Sequence, residues 1–371
     1  MPVAGAVDAA DRRFPVKPML PGFYRVIPMG SDVLQLRSAG RVLRVAGPGV
    51  GDFGPRLLSA LDGRDSLTAV VQRLALDAGP AADLVGHLHS EGIVSDAADA
   101  ADDGSVRGAV GGPAAAGEVY GELGRNAATV QAALGAARVA LVGLGPVGRL
   151  TARHLAAAGV GELVLADAAP VTAADQSALA AHVGDVGSSR AEVTSNECTA
   201  AGGDDDGGTR VRISSEPFTI DADAVDLVVV EVDEVLERAG ALNRRGVTSG
   251  VAVLFHSEGT LQAVVGPLVT PGAPGCHQCL LDRERSHIRH FEERVAYERW
   301  LASGGGGRPP ALLSGFASLV AGLVSVEVLR QIGGFQEPVT RTGVLVADLR
   351  TSQVRTENLL PVPGCPVCGA R

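Results

Sequence analysis

The spacing of hydrophobic positions changes along the chain. Between Lys17 and about Ala97, three short stretches alternate apolar and polar residues: GFYRVIPMG, VLQLRSAG and RVLRVAG. Gly and Ser-Asp turns separate them, so the period of two predicts a three-stranded antiparallel meander. Three stretches of helical period follow, DFGPRLLSALDG, DSLTAVVQRLAL and PAADLVGHLHSEG, with Asp65-Ser66 and Pro80 where helices should start. GIVSD then reads as a short wing strand. Three strands, three helices and a wing make a small winged-helix-like domain over 17–98, behind a flexible tail at 1–16. Residues 99–117, rich in Ala, Gly and Asp, read as a linker.

From Glu118 onward strands and helices alternate. VALVG (139–143), ELVLAD (162–167), VRISSEPF (211–218), DLVVVEV (226–232) and GVAVLFHS (250–257) carry the strand signal. Most are near-continuous apolar runs, as in strands covered on both faces. The expectation is an α/β, Rossmann-like, doubly wound domain over 118–371. LQAVVGPLV and GVLVADL add an antiparallel pair, and ECTAAGGDDDGGTR (197–210) reads as a polar loop insertion. The apolar stretch 310–333 is interrupted by Glu327 and Arg330, so it is expected to be a core or dimer-interface helix and not a membrane span. Residues 283–300 alternate charges on one expected helix. His287 and His290 could share a face there, but a solvated helix or a subunit contact accounts for them.

Two motifs carry candidate chemistry. Gly143, Gly145 and Gly148 form GxGxxG between a strand and a helix. Such glycines allow a tight turn, close backbone approach to phosphate, and helix-on-strand packing, while the helix N-terminus favours an anion. Asp167 ends the next strand, where it could accept from ribose hydroxyls. The pattern supports the fold more strongly than it supports bound nucleotide, and Pro146 removes one donor from the loop. The second motif pairs Cys276 and Cys279 with Cys365 and Cys368 as two CxxC knuckles, a tetrathiolate zinc signature. Disulfides and a redox CxxC are the alternatives. A closed site of four cysteines leaves no position for water, so its role would be structural. Cys198 reads as an incidental thiol.

The chain of 371 residues suits two domains, and its formal net charge of −10 argues against a nucleic-acid partner. Lys17 is the sole lysine, which rules out any mechanism needing lysine in the Rossmann-like part. The first residues lack an apolar signal core, so a cytoplasmic, thiol-reducing location is expected.

Taken in order, GxGxxG, VLAD, DVG at Asp185–Gly187, an acid after a strand (Asp233), GPLVTPGAPGCHQC and LPVPGCPVCG resemble the ubiquitin-activating-enzyme-like adenylyltransferases of the ThiF and MoeB kind, over roughly 118–371. The resemblance implies a dimer, a structural zinc, and adenylation of a C-terminal carboxylate with Mg-ATP. It puts Asp233 on the magnesium side. The chain departs from the family pattern where ATP is held. The second acid falls on Ala169, the asparagine on Asp175 and the phosphate-binding arginine on Ala178, while the lysine after DVG becomes Arg190. Arg190 supplies the charge with different geometry, and Arg149 and Arg153 lie nearby in sequence. A degenerate ATP site is the expectation.

The N-terminal pattern, led in by PMLPGFYRVIPMGSDVLQL, resembles the PqqD-like peptide-recognition domains of modified-peptide (RiPP) pathways. That resemblance implies a leader peptide added as a strand beside Arg41, Val42, Leu43, Arg44 and Val45, against the helix at about 81–90. A DNA-binding winged helix is the alternative, disfavoured by charge. The combination resembles ThiF-like partner proteins that present a precursor to a YcaO-type cyclodehydratase in azoline and thiazole biosynthesis. The competing readings are an active adenylyltransferase charging a peptide or ubiquitin-like carrier, and an NAD-dependent enzyme with no identifiable hydride-transfer acid or base.

Overall fold

The computed structural model describes residues 14–97, 113–123, 125, 127–179, 185–202, 208–214, 224–232, 236–300 and 312–369. The chain divides into two compact units, residues 1–129 and 130–371.

In the first unit, β1 (Pro18–Met19) precedes a meander of β2 (Arg25–Pro28), β3 (Val33–Arg37) and β4 (Val42–Ala46). The sheet order is β2-β3-β4, antiparallel throughout. Its alternation sends Val26, Leu34, Leu36, Leu43 and Val45 inward. They meet α1 (Val50–Ser59), α2 (Leu67–Leu74) and α3 (Ala78–Ser90), whose Leu57, Leu58, Val70, Leu84 and Leu88 complete the core. The helix starts are chemically defined. Ser66 caps α2 by accepting from the Ala69 N–H at 3.3 Å, and Asp77 caps α3 through the Gly79 N–H at 3.1 Å. Pro80 lies in the first turn of α3, where no donor is lost. The stretch read as a wing gives β5 (Ser95–Asp96), paired with β1. α4 (Pro113–Glu122) begins inside the stretch read as a linker, and α5 (Ala127–Ala136) leads into the second unit.

The second unit is an eight-stranded sheet, order β13-β12-β11-β10-β9-β6-β7-β8. β6 (Arg138–Val142), β7 (Glu162–Ala166), β8 (Arg210–Ile213), β9 (Leu227–Glu231) and β10 (Ala252–Glu258) run parallel. β11 (Gln262–Val269), β12 (Gly343–Asp348) and β13 (Gln353–Asn358) extend it antiparallel. The central strands are buried on both sides. Val139 and Leu141 of β6 face one core, with Leu155 of α6 (Pro146–Ala157) and Val320 and Val324 of α12 (Ser314–Gly333). Ala140 and Val142 face the other, with Ala239 and Val247 of α9 (Leu236–Thr248) and the cysteine loops. α7 (Ala173–Leu179) and α8 (Arg190–Gly202) complete the β7–β8 crossover.

Two expectations change. α8 runs through Gly202, so the first part of the expected polar insertion is helical and Cys198 is fully buried in the core. Glu192, Asn196 and Thr199 face water while Ala191, Thr194 and Cys198 face inward, a helical stripe the insertion's later glycines and acids obscure. The helix expected over 283–300 is two helices, α10 (His277–Ser286) and α11 (Phe291–Trp300), interrupted at 287–290. α12 places one apolar face in the core, as its interrupted apolar pattern implies.

Candidate functional site

The chain turns from one direction of sheet growth to the other between β6 and β9. In open α/β sheets that switch point, at the carboxyl ends of the strands, is where ligands bind. The GxGxxG loop lies there. Gly143 leaves β6 with φ +91°, Gly145 is the N-cap of α6, and Pro146 takes the first helical position.

The loop wraps a carboxylate of the chain itself. Glu231 ends β9, on the face of the sheet that carries the loop, and its Oε2 accepts from the Gly145 N–H at 3.0 Å. A Cβ on Gly143 would lie 2.7 Å from the Glu231 Cβ, and one on Gly145 only 2.3 Å from Oε1. Gly148 approaches the Gly143 carbonyl equally closely, its would-be Cβ 2.3 Å from that oxygen. The first two glycines therefore make room for Glu231 and the third for helix against strand. The N-terminal end of α6 meets a buried carboxyl group of the chain where a phosphate would sit.

Asp167 is buried below this loop. Its two oxygens accept from the Leu144 and Ala169 N–H groups, each at 2.7 Å, which fixes the carboxylate and leaves further lone pairs on each oxygen. Arg190 opens α8 and turns inward. Its Nε donates to Asp175 at 3.2 Å, its Nη2 at 3.0 Å, and its Nη1 reaches Asp167 at 3.5 Å. The Thr172 N–H also donates to Asp175, at 2.7 Å, fixing that carboxylate. Arg149, also buried, donates through Nε and Nη2 to the two oxygens of Glu197, with Asp185 at 3.7 Å. Burial opposes its charge, yet the hydrogen bonds and charge of Glu197 hold its guanidinium above the ordinary value. Arg153 is exposed, and Ala178, where the family arginine was expected, packs in the core.

Around the crevice, among the described residues, Arg149 and Arg190 thus meet four carboxylates, Asp167, Asp175, Asp185 and Glu197, while Glu231 occupies the glycine loop. A polyanionic triphosphate needs cations aimed at it. Arg190 is paired with Asp175 and Asp167, whereas Arg149 pairs with Glu197 through Nε and Nη2 and keeps a buried Nη1 without a hydrogen-bond partner among the described residues. Asp233 lies outside the described residues. Two groups escaped the sequence reading, although Glu231 and His256 each break an apolar strand. His256 of β10 pairs in register with Glu231, is buried, and shares a hydrogen bond through Nδ1 with Glu258.

The four cysteines converge. Cys276 and Cys279 flank the start of α10, Cys365 and Cys368 lie in the loop after β13, and all four Sγ atoms fall within 4.8 Å of one another. The Cys276–Cys279, Cys276–Cys365 and Cys279–Cys368 separations are 3.9, 3.8 and 3.4 Å. Four thiolates about 2.3 Å from a tetrahedral ion stand roughly 3.8 Å apart, so the set could hold a metal ion. The Val362 N–H donates to Cys279 Sγ at 3.3 Å. Asn243 donates to Cys276 Sγ at 3.6 Å while accepting from the His277 N–H at 3.0 Å. These contacts orient the sulfurs and soften the cost of gathering thiolates.

In the first unit, β4 has β3 on one side and is an edge of its sheet. Leu43 and Val45 point inward and half-cover themselves on the core, while Val42 and Arg44 face water. Arg41 bridges from β4 to the end of α3, donating to the Glu91 carbonyl at 2.9 Å and carboxylate at 2.6 Å.

Comparison with known proteins bears on this arrangement. Residues 118–367 match the ThiF family. None of the curated proteins compared with the chain is a significant match. Among solved structures, Escherichia coli MccB with MccA-N7isoASN aligns at TM-score 0.67 and 18% identity, covering 95% of this chain and 99% of that one. MccB with ATP aligns at 0.67 and 19%, with the same coverage. PaaA aligns at 0.66 and 16%, covering 92% and 100%. These likenesses show a shared fold across both units.

Proposed function

The chain belongs to the ThiF family, and from that premise we propose that it is a non-catalytic partner protein of ribosomal-peptide modification. In this reading the first unit binds a precursor's leader peptide as a strand added to the free edge of β4. The second unit is a ThiF-type scaffold that presents the peptide to a separate YcaO-type cyclodehydratase, which spends the ATP. The structural neighbour MccB, solved with ATP and with MccA-N7isoASN, supports a peptide-modifying lineage.

The observation that carries the non-catalytic half is Glu231 in the glycine loop. Adenylation requires the triphosphate at that helix end, against cations free to receive it. Here a carboxyl group holds the Gly145 N–H, Arg190 is paired with Asp175, and Arg149 gives Nε and Nη2 to Glu197, leaving one Nη1 donor over. The peptide half rests on β4, an edge with alternating exposed and half-buried residues beside α3, which offers backbone groups for affinity and side-chain pockets for register. The cysteine cluster is read as a structural zinc site tying the end of the chain to the start of α10. The protein is further read as a homodimer, because the outer face of α12 exposes Leu319 and Val326 beside Leu323.

Calorimetric titration with Mg-ATP tests the reading without knowledge of the substrate. No heat at millimolar nucleotide is expected. Micromolar binding would overturn the non-catalytic assignment and make ATP-dependent activation of a peptide or carrier carboxylate the function.

A further inference from the structure

The meander of the first unit has an outer face of unusual charge. Strand alternation puts Val26, Leu34, Leu36, Leu43 and Val45 in the core, and therefore Arg25, Ile27, Gln35, Arg37, Val42 and Arg44 on the opposite face. Arg25 stands directly opposite Arg37, Gln35 opposite Arg44, and Arg37 opposite Val42. Arg25, Arg37 and Arg44 are all exposed, and this face of the three strands carries no acid. The nearby acids are engaged elsewhere. Asp32 accepts from the Gly49 N–H at 2.8 Å, and Glu122 accepts from Ala39 and Gly40 at the β3–β4 turn, at 2.9 and 3.2 Å. Among the described residues, no ion pair involves any of these three arginines.

Like charges directly opposite on neighbouring strands oppose each other, and this chain carries ten net negative charges that could have supplied partners. We propose that the outer face of β2-β3-β4 is a docking surface for an acidic segment of a partner polypeptide. Guanidinium groups take carboxylates in bidentate fashion, and Ile27 and Val42 between them offer apolar contact to the same segment. Net charge selects a peptide over nucleic acid. A long polyanion meets the repulsion of the whole acidic protein, whereas a short acidic segment feels mainly the charges within a screening length of about 8 Å. The surface is the face of the sheet opposite the core, and the assignment does not depend on the leader peptide's occupying the β4 edge.

The test is fluorescence anisotropy of the full chain with a fluorescein-labelled octaglutamate peptide at low salt. Saturable binding is expected, weakened by added salt, and weakened at least tenfold in the Arg25→Gln/Arg37→Gln/Arg44→Gln variant. A control variant, Arg64→Gln/Arg153→Gln/Arg289→Gln, makes the same change in net charge elsewhere and should bind as the unaltered protein does. Failure of the unaltered chain to bind overturns the proposal, as does equal loss in both variants. Tighter binding of a single-stranded DNA of equal charge overturns it in favour of nucleic acid. Thermal melting checks the fold: relief of the Arg25–Arg37 opposition should leave the triple variant as stable as its parent. If it unfolds instead, Arg44→Gln alone should weaken binding about threefold, and unchanged affinity in that variant overturns the assignment.

Discussion

At the scale of the residue, Glu231 and Cys198 make the sharpest predictions. Gly145 has a backbone conformation open to alanine, φ −59° and ψ −174°, so Gly145→Ala should suffer only from the contact its Cβ would make with Glu231 Oε1. A double-mutant cycle with Glu231→Ala isolates that contact. A coupling on the order of 1–3 kcal/mol is expected in denaturant melts, with the double variant more stable than the sum of the singles. Additive effects would place Glu231 away from the loop. Cys198 should be chemically silent. Burial, reinforced by Glu197 and opposed by Arg153 and Arg149, pushes its thiol up to about 12. The thiolate is the reactive form, so iodoacetamide at pH 8 should leave Cys198 unmodified in the native protein and alkylate it in denaturant, as peptide mass mapping would read. Rapid native labelling would contradict its burial.

At the scale of the element, the loops bearing the cysteines are held by more than sulfur. Gly275 packs its backbone on Leu359, and Gly364 takes φ +75° to aim Cys365 back at Cys276. Four thiols pressed within 4.8 Å have little reason to stay together without an ion. About one zinc per chain is expected by elemental analysis. Its removal by a strong chelator, or Cys368→Ser, should cost several kcal/mol of stability. A chain isolated without metal and melting unchanged would remove the metal from the account. The charge pattern of 283–300 suited a single helix. The two elements α10 and α11 show that alternating charges do not specify where a helix must break.

At the scale of the whole molecule, α12 is apolar around most of its circumference. Phe316, Val320, Val324 and Val328 enter the core, while Leu319 and Val326 remain exposed. A second copy of the chain is the occupant assumed under the proposed function. Sedimentation velocity should show a dimer that Leu319→Asp/Val326→Asp converts to a folded monomer. A native chain that sediments as a monomer would remove the dimer from the proposal.

Much of this was legible in the chain. The apolar runs of β6, β7, β9 and β10 specify buried parallel strands because a strand covered on both faces has no polar position to spare. Two CxxC pairs specify a cluster because short turns can aim two sulfurs at one point. GxGxxG specified a loop needing space, but not what fills it, since the glycines serve a phosphate and a carboxylate equally well. The residue that fills it stands 86 positions beyond Gly145, and only the pairing of β9 with β6 brings it there. Arg190 could be read in the sequence as a cation available to a ligand. The crossover through α7 and α8 instead sets it against Asp175 and Asp167, because a buried guanidinium takes the nearest buried carboxylates. Sequence alone determined the parallel-rich α/β sheet and the candidate metal ligands, whose information is local in period and spacing. Tertiary structure decided what lines the glycine-loop crevice, because charge compensation depends on which distant side chains share a buried volume.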